Sequence, residues 1–178
     1  YGVIVAGGTI GESGVTWAGN DSTAKVIAGE QIYLDTGILA SKTVELETTG
    51  LTGADDDDLS IIVNTAGGLT SAGMSTDGSG GLVSMKAHEN LEMMGHILSG
   101  GVLSQVFNEQ GARVGETIAW STQNSNVYIE ADGQAYIGGS TINKEGETVQ
   151  TGGYIRANQK IEVVGGEGPE GIGVKIHA

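Results

Sequence analysis

The segment Ile38–Leu46 reads ILASKTVEL and contains the pattern that decides the fold. Its apolar residues (h) and one alanine follow the order h-x-A-x-x-x-h-x-h, where x is any residue. Residues two apart in a β-strand lie on the same face, so h-x-A and h-x-h each predict a short strand with one apolar face. Three residues between them are enough for a bend, and alanine suits its narrow inner side. The segment therefore predicts two short strands joined at a corner.

The same pattern recurs along the chain. The other copies are Val26–Leu34, Met85–Met93, Ile129–Ile137 and Ile155–Val163. A glycine follows each copy closely and can supply the next bend. Strands this short are unstable alone, but stacked windings pair each strand with its counterpart about 4.8 Å away and bury the apolar residues together. We therefore predict an all-β fold, a single-stranded parallel β-helix or β-solenoid.

The copies are unevenly spaced, starting 12, 47, 44 and 26 residues apart. Further short strands are expected in the gaps, at Ile61–Val63, Val83–Met85, Ile118–Trp120 and Val127–Ile129. A period of roughly 20–30 residues predicts about six to eight irregular windings in one segment, residues 1–178. The start of another copy at Val174–Ala178 leads us to expect that the solenoid continues beyond the C-terminus in a longer natural chain.

Residues 85–107 could also be interpreted as a helix, because several apolar residues there would share one helical face. Gly95, Gly100 and Gly101 would each cost about 1 kcal/mol in a helix interior. The segment also contains a copy of the repeated pattern. We therefore predict strands here as well.

Composition excludes several classes of function. Aspartate and glutamate number 22 against eight lysines and arginines, and the formal net charge is -14. The cations are scattered, so we expect no nucleic-acid partner, since such binding needs clustered cations to neutralise phosphates. The chain has no cysteine, which excludes disulfides and thiol chemistry. Its apolar runs are too short to span a bilayer, so we expect no membrane insertion.

The segments Gly153–Val163 and Gly50–Ile61 resemble the degenerate repeats of filamentous-haemagglutinin-like exoproteins, large bacterial surface and secreted proteins. The resemblance covers about residues 24–178. It implies a right-handed parallel β-helix that is displayed at the cell surface or outside the cell. It further implies a non-catalytic structural or adhesive role, such as a fibre. The expected partners are neighbouring repeats, other copies of the chain, or a glycan or host-surface ligand.

Two other functions remain open from the sequence. Parallel β-helices also include polysaccharide lyases and hydrolases, and Glu45, Glu92 and Glu162 occupy equivalent outward positions of the repeat. A trimeric phage-type fibre is the other alternative. The GxGxxG match at Gly166–Gly171 precedes a predicted strand rather than a helix, so we assign it no nucleotide. No catalytic or cofactor-binding residues are assigned.

Four consecutive aspartates, Asp55, Asp56, Asp57 and Asp58, form the most acidic stretch. Calcium takes six to eight oxygen ligands and would relieve their mutual repulsion. The ligand spacing of EF-hand and RTX loops is absent, however. We interpret the run as a solvated loop between windings, with weak calcium binding as the alternative and no other cofactor expected.

Overall fold

The computed structural model describes residues 3–11, 14–51, 58–64, 67–110, 113–121, 124–142, 148–151, 153–167 and 171–176. These residues form an all-β protein, which confirms the predicted fold class at that level. Residues 85–107 form strands, not the alternative helix. Strands are numbered β1 to β21 along the chain, and fifteen of them belong to three five-stranded parallel sheets.

The chain contributes one strand to each of the three sheets in turn. Sheet 1 consists of β1 (Ile4–Ala6), β6 (Gly37–Ala40), β9 (Gly68–Ser71), β12 (His96–Ser99) and β19 (Tyr154–Ala157). Sheet 2 consists of β4 (Thr23–Ala28), β7 (Thr43–Thr48), β10 (Leu82–Ala87), β15 (Asn126–Ala131) and β20 (Lys160–Gly165). Sheet 3 consists of β5 (Ile32–Leu34), β8 (Leu59–Val63), β11 (Asn90–Met93), β16 (Ala135–Ile137) and β21 (Val174–Ile176).

Within each sheet, neighbouring strands follow the order of the chain and run parallel. The described strands thus form five successive trios, fewer than the six to eight windings expected from the period. The difference arises because three antiparallel hairpins lengthen the connections. They are β2 (Gly8–Gly11) with β3 (Gly14–Trp17), β13 (Gly101–Phe107) with β14 (Arg113–Trp120), and β17 (Gly139–Ile142) with β18 (Thr148–Thr151).

Apolar side chains from equivalent strand positions form continuous rows inside the three sheets. In sheet 2, Val44, Val83 and Val127 lie side by side, and all three are at most 1% exposed. The neighbouring row contains Leu46, Met85 and Ile129, which are also buried. The rows of sheets 1 and 3 complete one hydrophobic core. Parallel pairing in register is what brings like residues together, because each strand pairs with its counterpart in the next trio.

The repeated sequence pattern marks two different corners. Three copies, starting at Val26, Met85 and Ile129, run from sheet 2 into sheet 3. The copies starting at Ile38 and Ile155 run instead from sheet 1 into sheet 2. This explains the uneven spacing of the copies, because neighbouring copies can be successive corners of the chain rather than the same corner in the next trio of strands.

The predicted strand Ile118–Trp120 is placed differently from expectation. It belongs to β14, an arm of an antiparallel hairpin, rather than to a sheet of the stack. Trp120 lies opposite Gly101 at the base of this hairpin, just as Trp17 lies opposite Gly8 at the base of the first. A Cβ on Gly101 would lie 3.2 Å from the Trp120 ring, so glycine makes room for the indole. Alternating apolar residues alone do not distinguish a hairpin arm from a strand of the stack.

The core predicts a large difference between inward and outward isoleucines. Ile61 is fully buried in sheet 3, whereas Ile27 points outward from β4 and is 58% exposed. Ile61→Ala is expected to lower the free energy of unfolding by about 2–5 kcal/mol, because it leaves a cavity. The matched Ile27→Ala should cost about 1 kcal/mol or less, within the range of strand propensity. Urea denaturation monitored by circular dichroism measures both, and equal losses would contradict the assigned core.

Candidate functional site

The outward side of sheet 2 bears most of the described ion pairs, and we call it the charged face. Its first row contains Lys25, Glu45, Ser84, Tyr128 and Glu162, one residue from each strand. A second row, two residues further along each strand, consists of Ile27, Glu47, Lys86, Glu130 and Val164. The charged face exists because outward positions of neighbouring strands pair in register just as the inward ones do.

Ion pairs on the charged face connect adjacent strands of sheet 2. The Lys25 Nζ lies 3.1 Å from a Glu45 carboxylate oxygen and 3.2 Å from one of Glu47. The hydrogen bond to Glu45, and to a lesser extent that to Glu47, raises the pKa of Lys25. Lys86 pairs with Glu130 at 3.8 Å, also across two strands. Each exposed pair contributes little to stability by itself, but the rows tie successive strands together.

A tyrosine and a histidine extend these contacts. The Tyr128 hydroxyl donates a 2.9 Å hydrogen bond to Glu130, and this bond raises the pKa of Tyr128. His88, just beyond β10, lies with its Nδ1 3.2 Å from a carboxylate oxygen of Asp132. His88 is exposed.

Two shallow depressions lie along the charged face. One, of about 270 Å³, is lined by Lys25, Glu45, Leu46, Glu47, Ser84 and Lys86. The other, of about 230 Å³, is lined by Glu47, Thr48, Lys86, Ala87, His88, Glu130 and Asp132. Glu47 and Lys86 border both, so the two depressions are adjacent. Their walls mix carboxylates and lysines, which suits hydrogen bonding to a polar ligand such as a hydroxyl-rich chain.

The structure separates the three glutamates considered for catalysis. Glu45 and Glu162 share a row of the charged face, but Ser84 and Tyr128 lie between them. Glu92 lies on the outward side of sheet 3, between Ile62 and Tyr136. Partial burial raises the pKa of Glu92. The expectation that the three glutamates are equivalent is therefore wrong for Glu92, because its pattern copy occupies a different corner from the copies that carry Glu45 and Glu162.

A second polar cluster was not found by sequence reasoning, and we call it the clasp: Asp21, Lys42, Thr76, Asp77 and Ser79. Lys42 Nζ lies 3.1 Å from an Asp77 oxygen and 3.3 Å from an Asp21 oxygen. The connection between β9 and β10 thereby reaches the turns before β4 and before β7. Asp-Gly-Ser-Gly at 77–80 signals a turn in the sequence, but nothing in it names these distant partners.

Hydrogen bonds in the clasp favour the charged form of both aspartates. Thr76 donates to Asp21 from its hydroxyl at 2.6 Å and from its backbone N–H, and these bonds lower the pKa of Asp21. Ser79 donates to Asp77 in the same two ways, at 2.6 and 2.9 Å. These bonds, followed by that from Lys42, lower the pKa of Asp77 well below its usual range. A carboxylate that accepts several hydrogen bonds is harder to protonate.

The calcium candidate is only partly visible. Asp55, Asp56 and Asp57 lie outside the described residues. Asp58 is exposed, has a φ of 52°, and its backbone carbonyl oxygen accepts a 3.0 Å hydrogen bond from the backbone N–H of Asn90. Within the described part of the chain, no group of three or more His, Asp or Glu is placed to hold a metal ion. Calcium binding by the aspartate run stays a hypothesis.

Comparison with known proteins gives no assignment. No protein-family model matches the chain, and no match is found among curated proteins or solved structures. The resemblance to filamentous-haemagglutinin-like repeats thus remains a prediction from the sequence. In the described ranges, no helix is long and apolar enough to cross a membrane.

The clasp predicts sensitivity to acid. Because the folded-state pKa values of Asp21 and Asp77 are lowered, their contribution to stability is present above the unfolded value, about 3.9, and is lost as the pH falls below it. The melting temperature should therefore fall between pH 4 and about pH 2. In Asp77→Asn this fall should be smaller, and the melting temperature at neutral pH should already be lower than that of the unmodified chain.

Glu30→Gln is the matched control for this measurement, because Glu30 is an exposed carboxylate in the turn between β4 and β5. Differential scanning calorimetry should show the same acid-induced fall in melting temperature for Glu30→Gln as for the unmodified chain. An unchanged decrease in Asp77→Asn would show that the clasp does not contribute to acid sensitivity.

Proposed function

We propose that this chain is a non-catalytic structural segment of a bacterial surface or extracellular fibre, built as a right-handed single-stranded β-solenoid. The observation that carries the proposal is the set of in-register rows running through all three parallel sheets. Such rows supply continuous backbone hydrogen bonding along the stack and an interior filled with aliphatic side chains. That construction suits a spacer that must keep its shape outside the cell.

The order in which the chain visits the sheets supports this winding. Three successive strands of one chain visit sheets 1, 2 and 3 before the chain returns to sheet 1 beside its own previous strand. A connection between parallel strands of one sheet is right-handed in about 98% of cases, which is our reason for the handedness. Each inner strand of the three sheets is paired on both sides by strands from the neighbouring trios, which supports a single-stranded solenoid.

The outward polar groups support a structural role over an enzymatic one. The carboxylates of Glu45, Glu47 and Glu130 are engaged with lysines that tie neighbouring windings together. Glycoside hydrolysis by paired carboxylates needs two carboxyl groups about 5–10 Å apart in the same site. Glu92 lies on a different sheet from Glu45 and Glu162. The proposal includes an adhesive partner, a glycan or host-surface ligand, which would bind in the shallow depressions of the charged face.

The extracellular location rests on the resemblance, with the acidic composition compatible with it. Five strands at about 4.8 Å span only about 19 Å from first to last. This stack is short, so a fibre would require that it continue through further windings or further molecules.

A surface-display experiment tests the proposal. The chain is placed between an outer-membrane anchor and an epitope, and intact cells are treated with protease. The chain should keep most of the epitope on the surface. A flexible Gly/Ser linker of equal length should lose it, because unfolded backbone is cleaved. The destabilised variant Ile61→Ala should lose the epitope faster than the unmodified chain. If the unmodified chain loses the epitope as fast as the flexible linker does, the result would contradict a structural role.

A second arm addresses the enzymatic alternative. The purified chain is incubated with pectin, alginate and host glycans, and new chain ends are measured. No cleavage is expected. Cleavage that disappears in Glu45→Gln or Glu162→Gln would overturn the non-catalytic assignment.

A further inference from the structure

The outward side of sheet 3 carries a single row of side chains and differs from the charged face. The row, which we call the track, consists of Tyr33, Ile62, Glu92, Tyr136 and Lys175, one residue from each strand. Strands β5 and β16 have only three residues, so each presents one outward side chain between two inward ones. The track is therefore narrow, and its single carboxylate stands between an aliphatic and an aromatic neighbour.

Glu92 differs from the carboxylates of the charged face. Those of Glu45, Glu47, Glu130 and Glu162 each pair with a lysine. Glu92 makes no hydrogen bond or ion pair with any residue that the structure describes, although it is partly buried. Partial burial of an unpaired carboxylate is unfavourable, and it raises the pKa of Glu92. A carboxylate kept at such a cost points to a cationic group from outside the chain that pairs with it.

The surroundings of Glu92 also favour a positively charged ligand. Glu92 stands between Ile62 and Tyr136 on the adjacent strands. An aromatic ring attracts an ammonium group, and a carboxylate forms a charged hydrogen bond with it. The Lys175 Nζ lies 5.7 Å from the ring centre of Tyr136, so this ring already attracts an ammonium within the chain. The formal net charge of -14 adds a long-range attraction for cations.

The other groups along the track favour a sugar chain as the ligand. A sugar ring has apolar C–H faces and hydroxyl groups at its edge, so it needs apolar surface with polar groups nearby. Ile62 and Tyr136 supply the apolar surface. The Tyr33 hydroxyl, which accepts a 2.8 Å hydrogen bond from the Asn64 side-chain amide, supplies a polar group. A track one side chain wide suits a linear chain better than the broad surface of a folded protein.

We infer that the track binds a glycan with free amino groups, placing an ammonium at Glu92 and an adjoining sugar ring against Tyr136. This site lies on a different sheet from the depressions of the charged face, and it goes beyond the proposed function. The bound ammonium would supply the partner that the Glu92 carboxylate lacks within the described chain.

Calorimetric titration with a glucosamine oligomer that has free amino groups tests the site. The unmodified chain should bind this oligomer, and Glu92→Gln should weaken binding about tenfold or more, because a charged hydrogen bond is lost. The fully N-acetylated oligomer has the same sugar backbone without the positive charges. It should bind the unmodified chain about as weakly as the free-amine oligomer binds Glu92→Gln.

Matched variants separate this site from general attraction between charges. Glu162→Gln removes the same charge from the charged face and should leave the affinity unchanged at physiological salt, because distant exposed charges are screened. Tyr136→Ala should weaken binding severalfold, since the aromatic ring is lost. Tyr136→Phe keeps the ring and should bind like the unmodified chain.

The melting temperature gives a second readout. Glu92→Gln removes an unpaired, partly buried charge, so it should melt no lower than the unmodified chain at neutral pH. A lower melting temperature would show that the carboxylate already has a partner within the chain, which would overturn the inference.

Three binding results would also overturn the inference. They are no binding by the unmodified chain, equal weakening in Glu92→Gln and Glu162→Gln, and equally tight binding of an oligolysine peptide. The surface-display experiment uses no glycan, so it tests the proposed structural role separately.

Discussion

Parallel pairing in register is the interaction on which the rest of this structure depends. A three-residue strand such as Ile32–Leu34 cannot bury its side chains or satisfy its backbone alone. Beside the equivalent strand of the next trio it does both, and the isoleucine and leucine join rows that run through sheet 3. The same register places like outward positions together, and this produces the charged face. Core and surface therefore have one geometric cause.

The lengthened connections show how much variation this pairing tolerates. Hairpins β2–β3 and β13–β14 and the 72–81 connection all interrupt the passage from sheet 1 to sheet 2. The strands on either side keep their partners despite these insertions. Once pairing fixes the strands, connections can extend outward and acquire contacts of their own, as the clasp does between Asp21, Lys42 and Asp77.

The sequence predicted the strands of the stack better than their connections. The inward residues Val44, Leu46, Ile129 and Ala131 were found from alternation and a small residue at the corner, and all are buried. Alternation could not reveal that Ile118–Trp120 belongs to a hairpin arm, because the local pattern is the same in both settings. The sequence also could not show that Glu92 and Glu45 lie on different sheets, because two kinds of corner share one sequence pattern. The clasp joins residues distant in sequence, and its partners become visible only when the windings are stacked.

The central claim is that residues far apart in sequence become direct neighbours on adjacent strands of the parallel sheets. Engineered disulfides test it most directly, because the chain has no cysteine of its own. Ser84 and Tyr128 are outward partners on β10 and β15, so the pair Ser84→Cys with Tyr128→Cys should oxidise readily to a disulfide. Ser84→Cys with Glu162→Cys spans two strand spacings, about 9.6 Å, and should remain reduced in the monomer. Free thiols in the first pair, or equal cross-linking in both, would contradict the stacked register.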